Sequence, residues 1–496
     1  MITEIKYVPV TEDSYPFQAA ARRCHFSEIG YVEDEYLMSG TANVYTEINA
    51  NHEVAVQIPD VLYTTRLLVR RPSDIQKFSG NVVIEILNST AMLDIDRIWV
   101  DVWKYLTRNG DIYIGITSKG HVVDALKRFD AKRYAAINWD NPDKSRTKPA
   151  YEVLPFLEDY ESGLYWDMQI DLARLLRTPD EKNPIREYGK AYLYLAGWSQ
   201  STTYIARTIR SFTDCSNFPE NRNLFDGYYS AGGDASLAPI NAYEEQPVGS
   251  RIFEAGARPS RNVLMCSKPL IEINTDSETR GAAWSEDHDE PNYKFRSYQI
   301  AGTSHDSWYN MTDYYDQQLY EDAKRAGTPL EFEGCEGEPL NTPYEYIFQA
   351  ALRNLYLWVR EEIPAPHAPR VEVMRADENT LDAGMHIALY GKVKYMYKKD
   401  LFGNTLGGIR CGNVEYPLGH YESYAKKADG SLQGMFGTFY PFSPELLQSL
   451  YGSLHHYREL IEKNAGELIA KGFLLRADKE DYMNTILNTA EAHGLK

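Results

Sequence analysis

Leu193-Tyr-Leu-Ala-Gly197-Trp198-Ser199-Gln200-Ser201-Thr202 is the stretch on which the reading of this chain turns. Ala191 to Ala196 is a short apolar run that reads as a buried strand. Thr202 to Phe212 reads as a helix, and Gly-x-Ser-x-Ser lies between the two. A tight turn from strand to helix lifts a serine Oγ above the carboxyl edge of a sheet. The residues two places either side must then be small, because their backbones crowd the turn. The first turn of the following helix offers free N–H groups and the positive end of its dipole to a developing oxyanion. Ser201 stands where glycine is commoner, and serine is small enough for the place. The plainer reading makes Ser199 an N-cap serine before a helix. The register of strand, turn and helix, together with partners downstream, favours the tight turn.

Working outward, Asn81-Val-Val-Ile-Glu-Ile-Leu is another buried-strand run, ending at Asn88-Ser89-Thr90. A helical stretch over Ile98–Leu106 stops at Asn109-Gly110, and Ile112–Thr117 is again a strand. Leu164 to Leu176 has helical periodicity and stops at Thr178-Pro179. Phe225–Ala231, Pro269–Asn274 and Phe295–Ile300 read as strands, and Pro343–Ile363 as one long helix. Apolar runs bounded by turn formers are strand signals, and their alternation with helices predicts an α/β fold: a mostly parallel sheet with helices on both faces. Residues 40–78 read as strands and turns, 119–162 as irregular, and 444–492 as helical.

Composition narrows the partners. In 496 residues, 43% are hydrophobic and 25% charged, the balance of a globular protein with a sizeable core. Lys and Arg number 52 against 71 Asp and Glu, a net charge of −19. Such a surface repels phosphate backbones and anionic lipid, so neither nucleic acid nor a membrane is expected as a partner. Five scattered cysteines suggest neither a disulfide framework nor a metal site, and the N-terminus does not read as a signal peptide. The expected home is the cytoplasm. The aromatic content leaves a homo-oligomer open.

A serine at such a turn needs a base that titrates near neutrality, which is the property of imidazole. His305, in Gly302-Thr-Ser-His-Asp after the strand 295–300, is where a Ser…acid…His order would place it. Gly302-Thr-Ser304 is itself a rival serine motif, but the aromatic and polar residues after it do not form a small-residue helix. The acid should emerge after Pro269–Asn274, in Thr275-Asp276-Ser277-Glu278-Thr279. Glu278 is favoured over Asp276 by its distance from the strand. Backbone N–H groups of Gln200 and Ser89 are the expected oxyanion donors, with Asn88 pinning the turn. The run Glu286-Asp287-His288-Asp289-Glu290 reads as solvated surface rather than a metal site.

With these pieces in hand, the chain resembles the bacterial family of large alpha/beta hydrolase domain-containing proteins. The resemblance rests on Val83–Asn88, Asp130–Tyr134, Gly197–Ser201, Ala301–His305 and Gly403–Arg410, in order over most of the chain. It implies an α/β-hydrolase fold with Ser199 as nucleophile, His305 as base and Gln200 as oxyanion donor. Asp276 and Glu278 both fit as the acid. It also places Gly403–Arg410 in the hydrolase unit, walling its pocket. The expected organisation is a core over 1–369, with lid insertions near 119–162 and 232–268 and an appended region over 370–496. The expected activity is hydrolysis of a small-molecule carboxylic ester through an acyl-enzyme, with no cofactor and no metal. Acyl transfer by the same triad, and a non-catalytic binding protein on this fold, are the alternatives.

Overall fold

The sheet starts as an antiparallel meander of β1 (Ile2–Val8), β2 (Tyr31–Glu47) and β3 (Val54–Pro72). Its parallel part comprises β4 (Asn81–Ile86), β5 (Ile112–Ile116), β6 (Tyr192–Trp198), β7 (Gly227–Ala231), β8 (Leu270–Thr275) and β10 (Tyr293–Ala301). The short β9 (His288–Glu290) pairs antiparallel with β10. The computed structural model describes residues 1–146, 159–233, 237–243, 265–279, 286–330, 336–375, 395–427, 432–433 and 435–496. Within them the strand order is β1-β2-β3-β5-β4-β6-β7-β8-β10, and Ile409–Arg410 adds in parallel beyond β10. The helices are α1 (Phe26–Ile29), α2 (Arg97–Asn109), α3 (Val123–Phe129), α4 (Tyr165–Leu176), α5 (Gln200–Thr208), α6 (Asp276–Thr279), α7 (Gln317–Arg325) and α8 (Glu345–Arg360), followed by further C-terminal helices.

Alternating side chains of the central strands build two cores, because successive residues of a strand face opposite sides. Val82, Ile84 and Ile86 of β4 join Leu193 and Leu195 of β6 against α3, α4 and α5. Val83, Tyr194, Ala196 and Trp198 face the other way, against α2 and α8. Every position of β4 and β5 is buried, as expected of parallel strands covered on both faces. The second core continues into the C-terminal region: Ile409, Val414, Tyr457, Ile461, Tyr482 and Ile486 belong to it. Gly110 closes α2 in the left-handed region at φ 80°, and a Cβ there would lie 2.0 Å from the Lys77 carbonyl oxygen.

Residues 40–78, read as strands and turns, belong mainly to the long β2–β3 hairpin. The structure departs from the sequence reading at one helix. The stretch read as irregular from 119 carries α3, whose Val123, Ala125, Leu126 and Phe129 are buried. Of the two segments expected to form a lid, 147–158 in the first and 234–236 and 244–264 in the second lie outside the described residues.

Strand order fixes where a ligand crevice opens. From β4 the chain crosses to β5 on one side, while β6 and later strands add on the other. Such a reversal leaves a crevice at the carboxyl ends of the two flanking strands. Those ends are Asn88-Ser89 after β4 and Ser199 after β6.

The hairpin is tied to the segment after α3 by a buried ion cluster. Glu35 of β2, 1% exposed, accepts from Arg66 Nε, Arg133 Nε and Tyr134 OH. Removing one member of a buried charge cluster leaves its partners uncompensated. Glu35→Gln is therefore expected to destabilise the protein by about 3–5 kcal/mol, read as a lower urea midpoint; an unchanged midpoint would contradict this role for the cluster.

Candidate active site

Ser199 has φ 55° and ψ −120°, a backbone conformation that a residue with a side chain rarely adopts. Three contacts hold it there. The Ser199 N–H donates to the Ala231 carbonyl (2.8 Å), Asn88 Nδ2 donates to the Trp198 carbonyl (3.0 Å), and Thr202 Oγ1 donates to the Ser199 carbonyl (2.7 Å). The turn tolerates no side chain at Gly197, where a Cβ would meet Ser201 Cβ at 2.9 Å and the Ser201 carbonyl oxygen at 3.0 Å. Ser199 is half-buried and α5 starts at the next residue. The Gln200 N–H thus lies among the free donors of a helix N-terminus.

His305 follows β10 after the turn at Gly302, where φ is 68°. Its Nδ1 lies 2.6 Å from Glu278 Oε1, and both side chains are almost completely buried. Glu278 sits in α6, a single turn after β8. Its other oxygen accepts from the Thr275 N–H (2.7 Å) and Thr275 Oγ1 (2.6 Å). Burial alone would push the Glu278 carboxyl up; the imidazole and the Thr275 donors outweigh it and hold the group below its ordinary value. Burial pushes His305 down, and Glu278 outweighs that, so the imidazole sits above its ordinary value. The His305 N–H donates to Ser277 Oγ (3.0 Å) and its carbonyl accepts from Tyr344 OH (3.2 Å), which fixes the loop.

The second acid of that turn is engaged elsewhere. Asp276 Oδ2 accepts from the Gly302 N–H (2.9 Å) and Thr405 Oγ1 (2.8 Å), joining the loop after β10 to the Gly403–Arg410 segment. Gln200 and Ser89 also meet: Ser89 Oγ donates to Gln200 Oε1 at 2.8 Å, and His121 Nε2 holds the Ser89 carbonyl at 3.2 Å. Burial pushes His121 down to about 4, so it is neutral and this nitrogen donates.

Ser199 and His305 open onto one cavity of about 170 Å³. Asn88 and Thr90 line it on the β4 side, and Ile95, Leu330 and Phe436 give it apolar walls. Neither Gln200 nor Ser89 lines it. Among the described residues no hydrogen bond joins Ser199 Oγ to His305. His305 Nε2 accepts instead from Trp198 Nε1 at 3.2 Å. An acceptor Nε2 requires the proton on Nδ1, facing Glu278.

Two residues of this centre carried no signal in the sequence. Trp198 fills the variable position of Gly-x-Ser, and only the fold shows its indole reaching His305. Arg97, at the start of α2, lies 4.3 Å from the Trp198 ring centre, pairs with Asp101, and donates to Tyr344 OH at 2.9 Å. Both line the cavity. Two acids of the run at 286–290 are used in ion pairs, Asp287 with Arg370 and Asp289 with Arg296, and Asp287 also accepts from His367 Nδ1. Among the described residues no group of three or more His, Cys, Asp or Glu could hold a metal ion, and no helix is long and apolar enough to cross a membrane.

A family model described as "Alpha/beta hydrolase domain" matches residues 5–484. No curated protein matches the chain. Among solved structures it is similar to the esterase Est22, at 12% identity over 52% of this chain and 72% of that one, with a TM-score of 0.26. An alpha-beta serine hydrolase homologue from Coxiella burnetii is similar at 9% identity, over 48% of this chain and 84% of that one (TM-score 0.24). Brefeldin A esterase, a bacterial homologue of human hormone sensitive lipase, is similar at 11% identity, over 55% and 73% (TM-score 0.26). Likeness this distant carries no argument about the reaction.

The His305–Glu278 pair makes a physical prediction of its own. In an NMR titration His305 should protonate above the ordinary imidazole value of about 6.5. In Glu278→Gln burial and the nearby Arg97 are opposed only by Asp306, and the midpoint should fall below it. The same midpoint in both proteins would show that Glu278 does not set the charge of His305.

Proposed function

The chain belongs to the alpha/beta hydrolase domain family, and we propose that it is a serine-dependent carboxylic ester hydrolase. The observation that carries this reading is the meeting, in one cavity, of a serine on a strained strand-to-helix turn and a buried imidazole held by a carboxylate. In this reading Ser199 Oγ attacks the ester carbonyl while His305 Nε2 takes its proton. Glu278 keeps the proton of Nδ1 in place and stabilises the imidazolium that forms. The oxyanion is held by the N–H groups of Gln200 and Ser89. His305 then protonates the leaving alcohol, and water, activated by the same imidazole, clears the acyl group from Ser199.

The Trp198 bond to His305 Nε2 bears directly on the first step. That nitrogen has one lone pair, so the indole must give way as Ser199 Oγ turns towards it. The reading as a non-catalytic binding protein draws on this same bond.

The small volume of the cavity argues for a short acyl group, since pockets that enclose drug-sized ligands run to about 300–1,000 Å³. Within a panel of p-nitrophenyl esters, acetate and butyrate are expected to be hydrolysed with a kcat/KM at least about tenfold above octanoate. Ser199→Ala should lower kcat by about 10³-fold or more. Equal rates for short and long chains would remove the pocket assignment, and an active Ser199→Ala would remove the mechanism.

The pH profile follows from the state of His305. The base is needed neutral, so kcat/KM should rise with pH through the raised value of the imidazole, above about 6.5. A limb centred below that value would contradict the assignment of His305 as the base.

A further inference from the structure

Lys119 lies three residues beyond the end of β5 and is 1% exposed. A buried ammonium ordinarily has a carboxylate partner. Among the described residues this one has none within ion-pair distance. Its Nζ donates to the Leu87 carbonyl at 3.0 Å and to Ser201 Oγ at 2.9 Å, and it stands 4.4 Å from the centre of the Tyr204 ring. The nearest acids hold other partners: Asp94 Oδ2 accepts from Thr117 Oγ1 and Arg66, and Glu85 caps the first turn of α2. Burial pushes the amine down to about 7 against the pull of Asp94 and Glu85. A neutral amine keeps two N–H donors, so both hydrogen bonds survive its deprotonation.

The two acceptors are the informative part. Leu87 immediately precedes Asn88, which holds the Trp198 carbonyl, and Ser89, which reaches Gln200. Ser201 is the second flank of the turn at Ser199, the place where glycine is commoner, and its Cβ is what crowds Gly197. A glycine at 201 would leave Lys119 without one of its two acceptors. One amine therefore spans from the end of β5 to the end of β4 and to the first turn of α5, the elements that carry the two oxyanion donors.

We propose that Lys119 is a positioning residue that acts through Ser201 and the Leu87 carbonyl to set the distance between the Gln200 and Ser89 N–H groups. This rests on the reading of Ser199 as the nucleophile. Lys119 touches neither Ser199 nor the cavity, so its effect belongs to the transition state rather than to substrate binding.

The test compares wild type, Lys119→Met, Ser201→Ala and the double variant with p-nitrophenyl acetate, and measures inhibition by methylboronic acid, which forms a tetrahedral adduct on an active serine. Lys119→Met is expected to lose about 10–100-fold in kcat with KM within about twofold, and to lose boronate affinity by a similar factor. Ser201→Ala should lose about 3–10-fold in kcat and add nothing to the loss in the Lys119→Met background, because the two share one interaction. Unchanged kcat and boronate affinity in Lys119→Met would overturn the proposal, as would a loss confined to KM. Should Lys119→Met not fold, Ser201→Ala decides alone: wild-type kcat and boronate affinity would overturn it. A wild type that neither turns over ester nor binds boronate would instead overturn the hydrolase reading, and this inference with it.

Discussion

A serine held at φ 55° and ψ −120° is the constraint around which the centre of this molecule is arranged. That conformation costs on the order of 1–3 kcal/mol and persists only where the surroundings leave no alternative. Here β7 accepts the Ser199 N–H, Asn88 anchors the Trp198 carbonyl from the β4 loop, and Gly197 leaves room for Ser201. The same contacts place Ser199 at the reversal of strand order, where the sheet opens a crevice. Fold and site thus share one set of hydrogen bonds.

The groups buried around this point hold the His305 imidazole in one orientation. Glu278 accepts from His305 and twice from Thr275, and the loop of His305 is fixed by Ser277 and Tyr344. Beneath it, Arg97 and Asp101 neutralise one another against the Trp198 ring, so that Trp198 is pinned between a cation and the imidazole. Burial makes each of these interactions stronger than it would be in water and makes each unpaired group more costly. The Trp198 indole N–H donates to Nε2, so in the proposed mechanism this one contact must break before Ser199 Oγ can use that lone pair.

Much of this was legible in the sequence, for physical reasons that differ by element. Buried parallel strands such as Asn81–Ile86 carry apolar residues on both faces, and the tight turn after Leu193–Ala196 admits only small flanks, so both leave local signatures. That an acid after β8 would approach a histidine after β10 followed from chain order alone. Distance from the strand favoured Glu278 over Asp276, but the contacts that engage Asp276 elsewhere were not legible, because Thr405 and Gly302 are remote in sequence. Nor were the parts of Trp198, Arg97 and Lys119: each is set by tertiary neighbours, and none stands in a pattern with a period or a spacing. The helix α3 was hidden because its apolar face, Val123, Leu126 and Phe129, spans only two turns. The C-terminal region shows no core pattern of its own in sequence, and its apolar side chains join a core begun by α2 and α8.

The central claim is that Ser199 is a nucleophile activated by His305, and intact-mass analysis after treatment with a fluorophosphonate probe tests it most directly. The account predicts a single adduct on the wild-type protein and none on Ser199→Ala. No adduct on the folded wild type, or the same adduct on both proteins, would contradict it.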